Sequence, residues 1–175
     1  MAKKKVSLGN IPDFKIEQAH LKIRHISLEK ILEASHRAAD RLGFDDGENA
    51  FWQCNLFSNA VIQVARNNDI YSLKLVLVDA TWQTASGDVD EGGEHRHCLL
   101  SFDDTYIDFT IRQIDKYQDY PFISKELPEY FEYFDEWSFD DSLSETDSNL
   151  LNYIKEITKE LKVPSKIKGT FKISK

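Results

Sequence analysis

Cys54, His97 and Asp108 are the residues of this chain whose types and order could do covalent chemistry. A thiol beside an imidazole becomes an activated nucleophile, and a carboxylate on the far side of the ring fixes its tautomer and stabilises its charged form. The thiolate would attack a carbonyl carbon, pass through a tetrahedral oxyanion and leave a thioester, while the imidazolium protonates the departing amine. Water or a second amine would then take the acyl group. The chemistry expected is thiol-dependent acyl transfer on an amide or peptide bond, and hydrolysis is favoured because water is always present. A peptidase, an amidase or a deamidase would all fit.

The positioning of His97 and Asp108 depends on a hairpin. HCLLSF (97–102) and TYIDFTI (105–111) alternate in polarity, with Asp103-Asp104 as a short polar turn between them. A symmetric turn sets His97 opposite Thr110, Leu99 opposite Asp108 and Ser101 opposite Tyr106. His97 and Asp108 are then diagonal neighbours on one face of the sheet, within hydrogen-bonding reach. Cys98 falls on the opposite face with Leu100, Ile107 and Phe109, as a core thiol, which leaves Cys54 as the candidate nucleophile. FWQCNLFSNAVIQVARNND (51–69) reads as a helix with Phe57, Ala60, Val61, Val64 and Ala65 on one side, so Cys54 lies near its start. Unpaired N–H groups and the macrodipole at a helix start favour a thiolate. The backbone N–H of Cys54 would serve the oxyanion, and Gln53, Trp52 or Asn49 could supply a second donor.

The remaining elements frame this pair. Ser27 is suited to cap a helix through Leu42, with a stripe of Leu28, Ile31, Leu32, Ser35, Ala38, Ala39 and Leu42 and with Gly43 ending it. Residues 70–78 form a buried strand, and a long polar loop over 79–96, carrying Gly87, Gly92 and Gly93, either covers Cys54 as a lid or is a surface excursion. One or two short edge strands are expected within 13–26. A last helix from about 147 to 161 carries Leu150, Ile154, Ile157 and Leu161 at helical spacing. Between the hairpin and that helix lies an acidic, aromatic stretch punctuated by Pro121 and Pro128, to which the pattern assigns no element. The expectation is one α+β domain over 1–175, in which the helix bearing Cys54 packs on an antiparallel sheet. Its catalytic-like core spans about 28–114, and the acidic segment and final helix occupy 115–175.

Composition narrows the classes of function. At 175 residues with 41% apolar and 12% aromatic residues, the chain has enough to bury a core without disulfides. A formal net charge of −8 argues against a phosphate backbone as partner. The basic start, Met1 to Lys5, leads into no apolar run, and no window reads as a membrane span, so no membrane is expected. Two cysteines are no disulfide framework, which makes a reducing cytoplasm the default compartment. His95 and His97 could share one side of a strand as zinc ligands, but alternation turns Cys98 away and no metal-binding spacing completes the set. No cofactor or metal is expected. His20, His25 and His36 read as ordinary surface or capping residues.

From residue 97 the chain reads H-C-L-L-S-F-D-D-T-Y-I-D-F-T-I-R-Q, after a cysteine at a helix start, a strand and a loop. This order resembles the transglutaminase-like branch of the papain-like cysteine hydrolases, in particular small bacterial or phage members. Their hairpin runs from His through a turn to Asp-x-Thr-x-x-Gln, matched here by Asp108, Thr110 and Gln113. The resemblance covers about residues 48–114. It implies a papain-like core, with Cys54 as nucleophile, His97 as general base and acid, Asp108 as orienting carboxylate, and Thr110 and Gln113 in support. The sequence departs from the pattern where Glu48 and Asn49 stand in place of a glutamine before the cysteine, and where Cys98 and Leu99 stand in place of an aromatic after the histidine.

The partner expected is a protein or peptide substrate, a basic one included, with the oligomeric state left open. The alternative is a non-catalytic module that binds a basic protein through the acidic face at 126–147. From Glu126 to Ile154 there is no Lys or Arg, whereas Lys155 to Lys175 holds seven lysines against Glu156 and Glu160.

Overall fold

The computed structural model describes residues 26–50, 52–80, 95–137 and 148–163. Helix α1 is Leu28–Arg41, α2 is Cys54–Arg66 and α3 is Ser148–Leu161. Strands β1 (Lys74–Ala80), β2 (His95–Phe102), β3 (Thr105–Asp108), β4 (Phe122–Ser124) and β5 (Phe131–Trp137) form one antiparallel sheet in the order β4-β3-β2-β1-β5. The protein is α+β. The expected edge strands at 13–26, the glycines of the loop and residues 138–147 of the acidic stretch lie outside the described residues.

Period-two patterning divides the sheet into two faces. Leu75, Leu77, Cys98, Leu100, Ile107 and Phe109 face the helices and share their core with Ile31, Leu32, Phe57, Val61, Ile157 and Leu161. Val76, Val78, Ala80 and Leu99 join a second apolar cluster with Ile111, Ile114, Phe122 and Phe131. A sheet covered on both faces explains why LVLV (75–78) in β1 is a continuous apolar run rather than a strict alternation.

Local chemistry sets the helix ends. Ser27 has extended backbone, and its hydroxyl accepts from Lys30 N at 3.3 Å, satisfying one of the otherwise unpaired donors of α1. Gly43 then takes φ +76, a left-handed conformation that stops the helix at little steric cost. The helix bearing Cys54 starts later than the pattern suggests, at Cys54 itself, because Trp52 sits at φ +62 and is incompatible with helical backbone. α1 and α3 are tied through the buried carboxylate of Glu160, to which Arg37 Nε donates at 3.2 Å and from which the more exposed Arg41 lies 2.7 Å.

Three other sequence expectations change. The strand expected at 70–78 is β1 at Lys74–Ala80, since residues 70–73 form the irregular connection between the turn after α2, at 67–69, and the sheet. The loop expected at 79–96 gives both ends to strands, because Asp79 pairs with Arg96 and Ala80 with His95. The acidic aromatic stretch contributes two strands: β4 pairs with β3, and β5 adds to the free edge of β1 with a register shift between Leu77 and Val78. β4, β5 and α3 are therefore built into the same sheet and the same helical core as the elements that precede them.

Candidate active site

The hairpin register is the one the turn residues imply. Leu100 pairs with Ile107, Ser101 with Tyr106 and Phe102 with Thr105, and Asp103 adopts φ +51 in the turn. Extended by one residue, that register makes His97 and Asp108 diagonal neighbours, and their side chains meet at 2.5 Å between His97 Nε2 and Asp108 Oδ2. The expected strand over 105–111 nevertheless stops at Asp108. Thr110 N and Thr110 Oγ1 both donate to Asp108 Oδ1, at 2.7 and 2.8 Å, and this local bonding removes the Thr110 amide from the ladder. The chain turns there into a 3₁₀ turn at Ile111–Gln113. One carboxylate thus accepts from a ring on one oxygen and from a backbone amide and a hydroxyl on the other. Asp108 is 2% exposed and His97 1%, so neither competes with water for its partner.

Because β3 leaves the sheet early, His97 and Cys98 lie beyond the last β2–β3 pair while still paired to Val78 and Leu77 of β1. The tip of α2 arrives at this free edge. Cys54, first residue of the helix and 8% exposed, makes side-chain hydrogen bonds with both His97 and Cys98. Sequence alternation correctly put the two β2 residues on opposite faces but missed that one thiol at the strand edge reaches both. Phe131 of β5 lies against the imidazole, with ring centroids 5.4 Å apart.

The electrostatics follow from these contacts. The Cys98 side-chain hydrogen bond, together with the charge and hydrogen bond of His97, holds the Cys54 thiol well below its ordinary pKa, against burial, which acts the other way. Burial alone would lower the His97 pKa. The negative charges of Asp108 and Cys54 outweigh it and raise the imidazole to about 10. Cys98, donating to Cys54 and buried beside its charge, is pushed upward and stays a thiol. α2 has no acidic residue in its first turn and no side-chain cap, so its leading N–H groups add a favourable field at Cys54.

Two short turns hold the helix tip against the hairpin. Gly47, after the 3₁₀ turn at Phe44–Asp46, takes φ +58 so close to the second turn that a Cβ would lie 2.4 Å from Arg112 O. Arg112 Nη1 donates to Asp45 O at 2.9 Å. Gln113, 8% exposed, accepts from Trp52 N at 3.0 Å. A backbone N–H can only donate, so the Gln113 oxygen faces Trp52 and its NH₂ faces His97 Nδ1 at 3.4 Å. From the helical side, Tyr153 Oη donates to Gln53 Oε1 at 2.6 Å, one residue before Cys54. Tyr153 was not singled out in the sequence. Its only signal was its place on the stripe of α3, between Leu150 and Ile157.

The expected supporting residues therefore separate. Thr110 and Gln113 join the site. Gln53 adjoins it through the Tyr153 contact, while its own N–H donates to Ala50 O at 3.0 Å and is occupied. The Trp52 amide is spent on Gln113, and its side chain is 64% exposed. Asn49 is exposed and donates to Gly43 O at 3.4 Å, fixing the preceding turn rather than facing the thiol. His36 pairs with Asp40 and lies edge-on to Tyr120, an ordinary helix-surface role. A surface pocket of about 460 Å³ shares Gln113 with the site and is rimmed by Asp45, Asp46, Glu48, Arg112 and Lys116.

Among the described residues no helix is long and apolar enough to cross a membrane. Comparison of the chain with family models, with curated proteins and with solved structures gives no match.

Proposed function

We propose that this protein is a thiol-dependent acyl-transfer enzyme with a papain-like, transglutaminase-like core, acting on an amide or peptide bond and most readily as a hydrolase. The observation that carries the reading is one imidazole held by Asp108 at 2.5 Å on Nε2, with its other side turned to a thiol at the first position of a helix. In the resting state the proton sits on His97 and the charge on Cys54. Attack by the sulfur on a carbonyl carbon gives an oxyanion, for which the leading N–H groups of α2 are donors. Collapse expels the amine, which takes the proton from His97, and a thioester remains on Cys54. Once the Nδ1 proton has gone, the Gln113 amide donates toward the vacated lone pair and steadies the neutral ring for its next task. His97 then removes a proton from water, and the hydroxide attacks the thioester and returns the free thiolate. Asp108 fixes the ring through Nε2 throughout, while Thr110 fixes the carboxylate. The pocket that shares Gln113 carries three carboxylates, Asp45, Asp46 and Glu48, against two cations, Arg112 and Lys116, and this one-charge excess leans toward a basic peptide segment as substrate.

The reading is tested by following acylation with an activated ester, p-nitrophenyl acetate, by intact mass and peptide mapping. Acetyl transfer to Cys54, with turnover, supports it. The acyl group should be absent in Cys54→Ala and should persist on Cys54 in Asp108→Asn, where water attack is slowed. Acetylation confined to lysines, or equal at Cys98, would overturn it.

A further inference from the structure

Nothing in acyl chemistry calls for a second thiol in contact with the first. Cys98 nevertheless faces the helices from β2, opposite Leu77, in the same buried core as Cys54, and the two side chains hydrogen-bond. Both are free thiols. They belong to elements far apart in sequence and brought together only by the docking of α2 on β2. We propose that Cys54 and Cys98 form a reversible intramolecular disulfide, making this site an oxidisable thiol pair whose oxidant is a small hydroperoxide.

The steps balance. The Cys54 thiolate attacks the terminal oxygen of the hydroperoxide, an S–O bond forms as the O–O bond breaks, and the departing alkoxide or hydroxide takes the proton of the His97 imidazolium. Cys54 is then a sulfenic acid. The neutral imidazole accepts the Cys98 proton, the Cys98 sulfur attacks the Cys54 sulfur, and hydroxide leaves with that proton as water. In sum two thiols lose two electrons and one hydroperoxide becomes an alcohol, or water, plus water. The environment favours this order. Cys54 carries the charge at rest and reacts first, while its hydrogen bond and charge are leading causes keeping Cys98 protonated. Conversion of Cys54 to an uncharged sulfenic acid removes that charge and frees Cys98 to ionise. With Cys54 8% and Cys98 6% exposed, a small peroxide reaches the pair more easily than a bulky thiol, which favours internal resolution over mixed disulfides. In the oxidised protein the nucleophile is covalently masked, and reduction restores it.

The proposal does not depend on the acyl-transfer reading, since it needs only the thiol pair. The test is titration of the intact protein with hydrogen peroxide, followed by thiol counting and non-reducing peptide mapping. The expected result is loss of both free thiols, a mass lower by two hydrogens, a Cys54–Cys98 linked peptide, and full return on adding dithiothreitol. Cys98→Ala and Cys98→Ser, either of which suffices if the other misfolds, should instead trap dimedone at Cys54 and proceed to the sulfinic acid. Wild-type protein that accumulates sulfinic acid on Cys54 with Cys98 still free would overturn the proposal, as would two thiols surviving peroxide in folded protein. Clean disulfide formation in a protein that never acylates at Cys54 would sink the enzymatic reading alone.

Discussion

Replacing His97 by alanine removes the cation facing Cys54, and the consequence can be worked from the site. Wild-type Cys54 is held well below its ordinary pKa. At about pH 6 a thiol of ordinary pKa, about 8.5, is roughly 0.3% ionised, so a fully formed thiolate has a population advantage on the order of 300-fold. A more acidic thiolate is intrinsically less nucleophilic, with a Brønsted coefficient of about 0.4–0.5, which takes back on the order of tenfold. The net expectation is that iodoacetamide labels Cys54 about 10- to 30-fold more slowly in His97→Ala at about pH 6. Unopposed burial of the thiol in the variant moves the result toward the larger figure. The pH profile is as telling as the rate. Wild-type labelling should be flat from about pH 6 to 8, whereas the variant should gain about tenfold per pH unit, as an ordinary thiol does. The substitution also leaves the Asp108 carboxylate buried without its ring, a defect of about 3–5 kcal/mol. His97→Gln, which keeps a side-chain donor near Asp108, provides a second variant, and near-ultraviolet circular dichroism confirms folding of both. Equal rates and parallel pH profiles in wild type and a folded variant, or faster labelling of Cys98 than of Cys54, would refute the reasoning.

Stability should show the same coupling. A raised His97 stabilises the fold fully below about pH 6.5 and loses this as pH climbs through about 10, whereas a lowered Cys54 stabilises it fully above about pH 8.5 and loses this as pH falls. Between about pH 6.5 and 8.5 folding only moves a proton from sulfur to ring, so the two slopes cancel. Urea midpoints should be flat across that window in wild type, but fall with rising pH from about 6.5 in Cys54→Ala, where His97 titrates alone. Thr110→Val keeps the shape and the backbone donor but deletes the hydroxyl bond to Asp108 Oδ1, and should cost about 1–3 kcal/mol in urea denaturation. Its Cys54 labelling at about pH 6 should slow with it. Gly47→Ala places a Cβ against Arg112 O at a positive φ, so it should destabilise by about 1–3 kcal/mol and, by shifting the turn that carries Gln113, slow Cys54 labelling. A stable Gly47→Ala protein with wild-type labelling would show that the two turns do not position the helix tip.

Much of the scaffold is legible in the sequence because it rests on local rules. The Ser27 cap, the stripe of α1, the start of α3 near residue 147 and the hairpin register through Asp103-Asp104 are properties of a few neighbouring residues, and the structure agrees with each. The diagonal placing of His97 and Asp108 follows from that register. β5 was illegible, since FEYFDEW mixes acidic and aromatic residues without clean alternation, and only the free edge of β1 makes it a strand. The sequence also gave no sign that the site is buried rather than open to solvent.

By itself, then, the sequence determined the helices, the hairpin and which residues share a face, because capping, turn chemistry and periodicity act over a few residues. Where α2 docks was decided by the tertiary structure. The early end of β3, forced by Thr110 bonding to Asp108, leaves an edge at His97 and Cys98 that the tip of α2 fills, and the Gly47, Arg112 and Gln113 contacts hold it there. The proximity of Cys54 to both residues joins segments more than forty positions apart, and no local rule spans that distance.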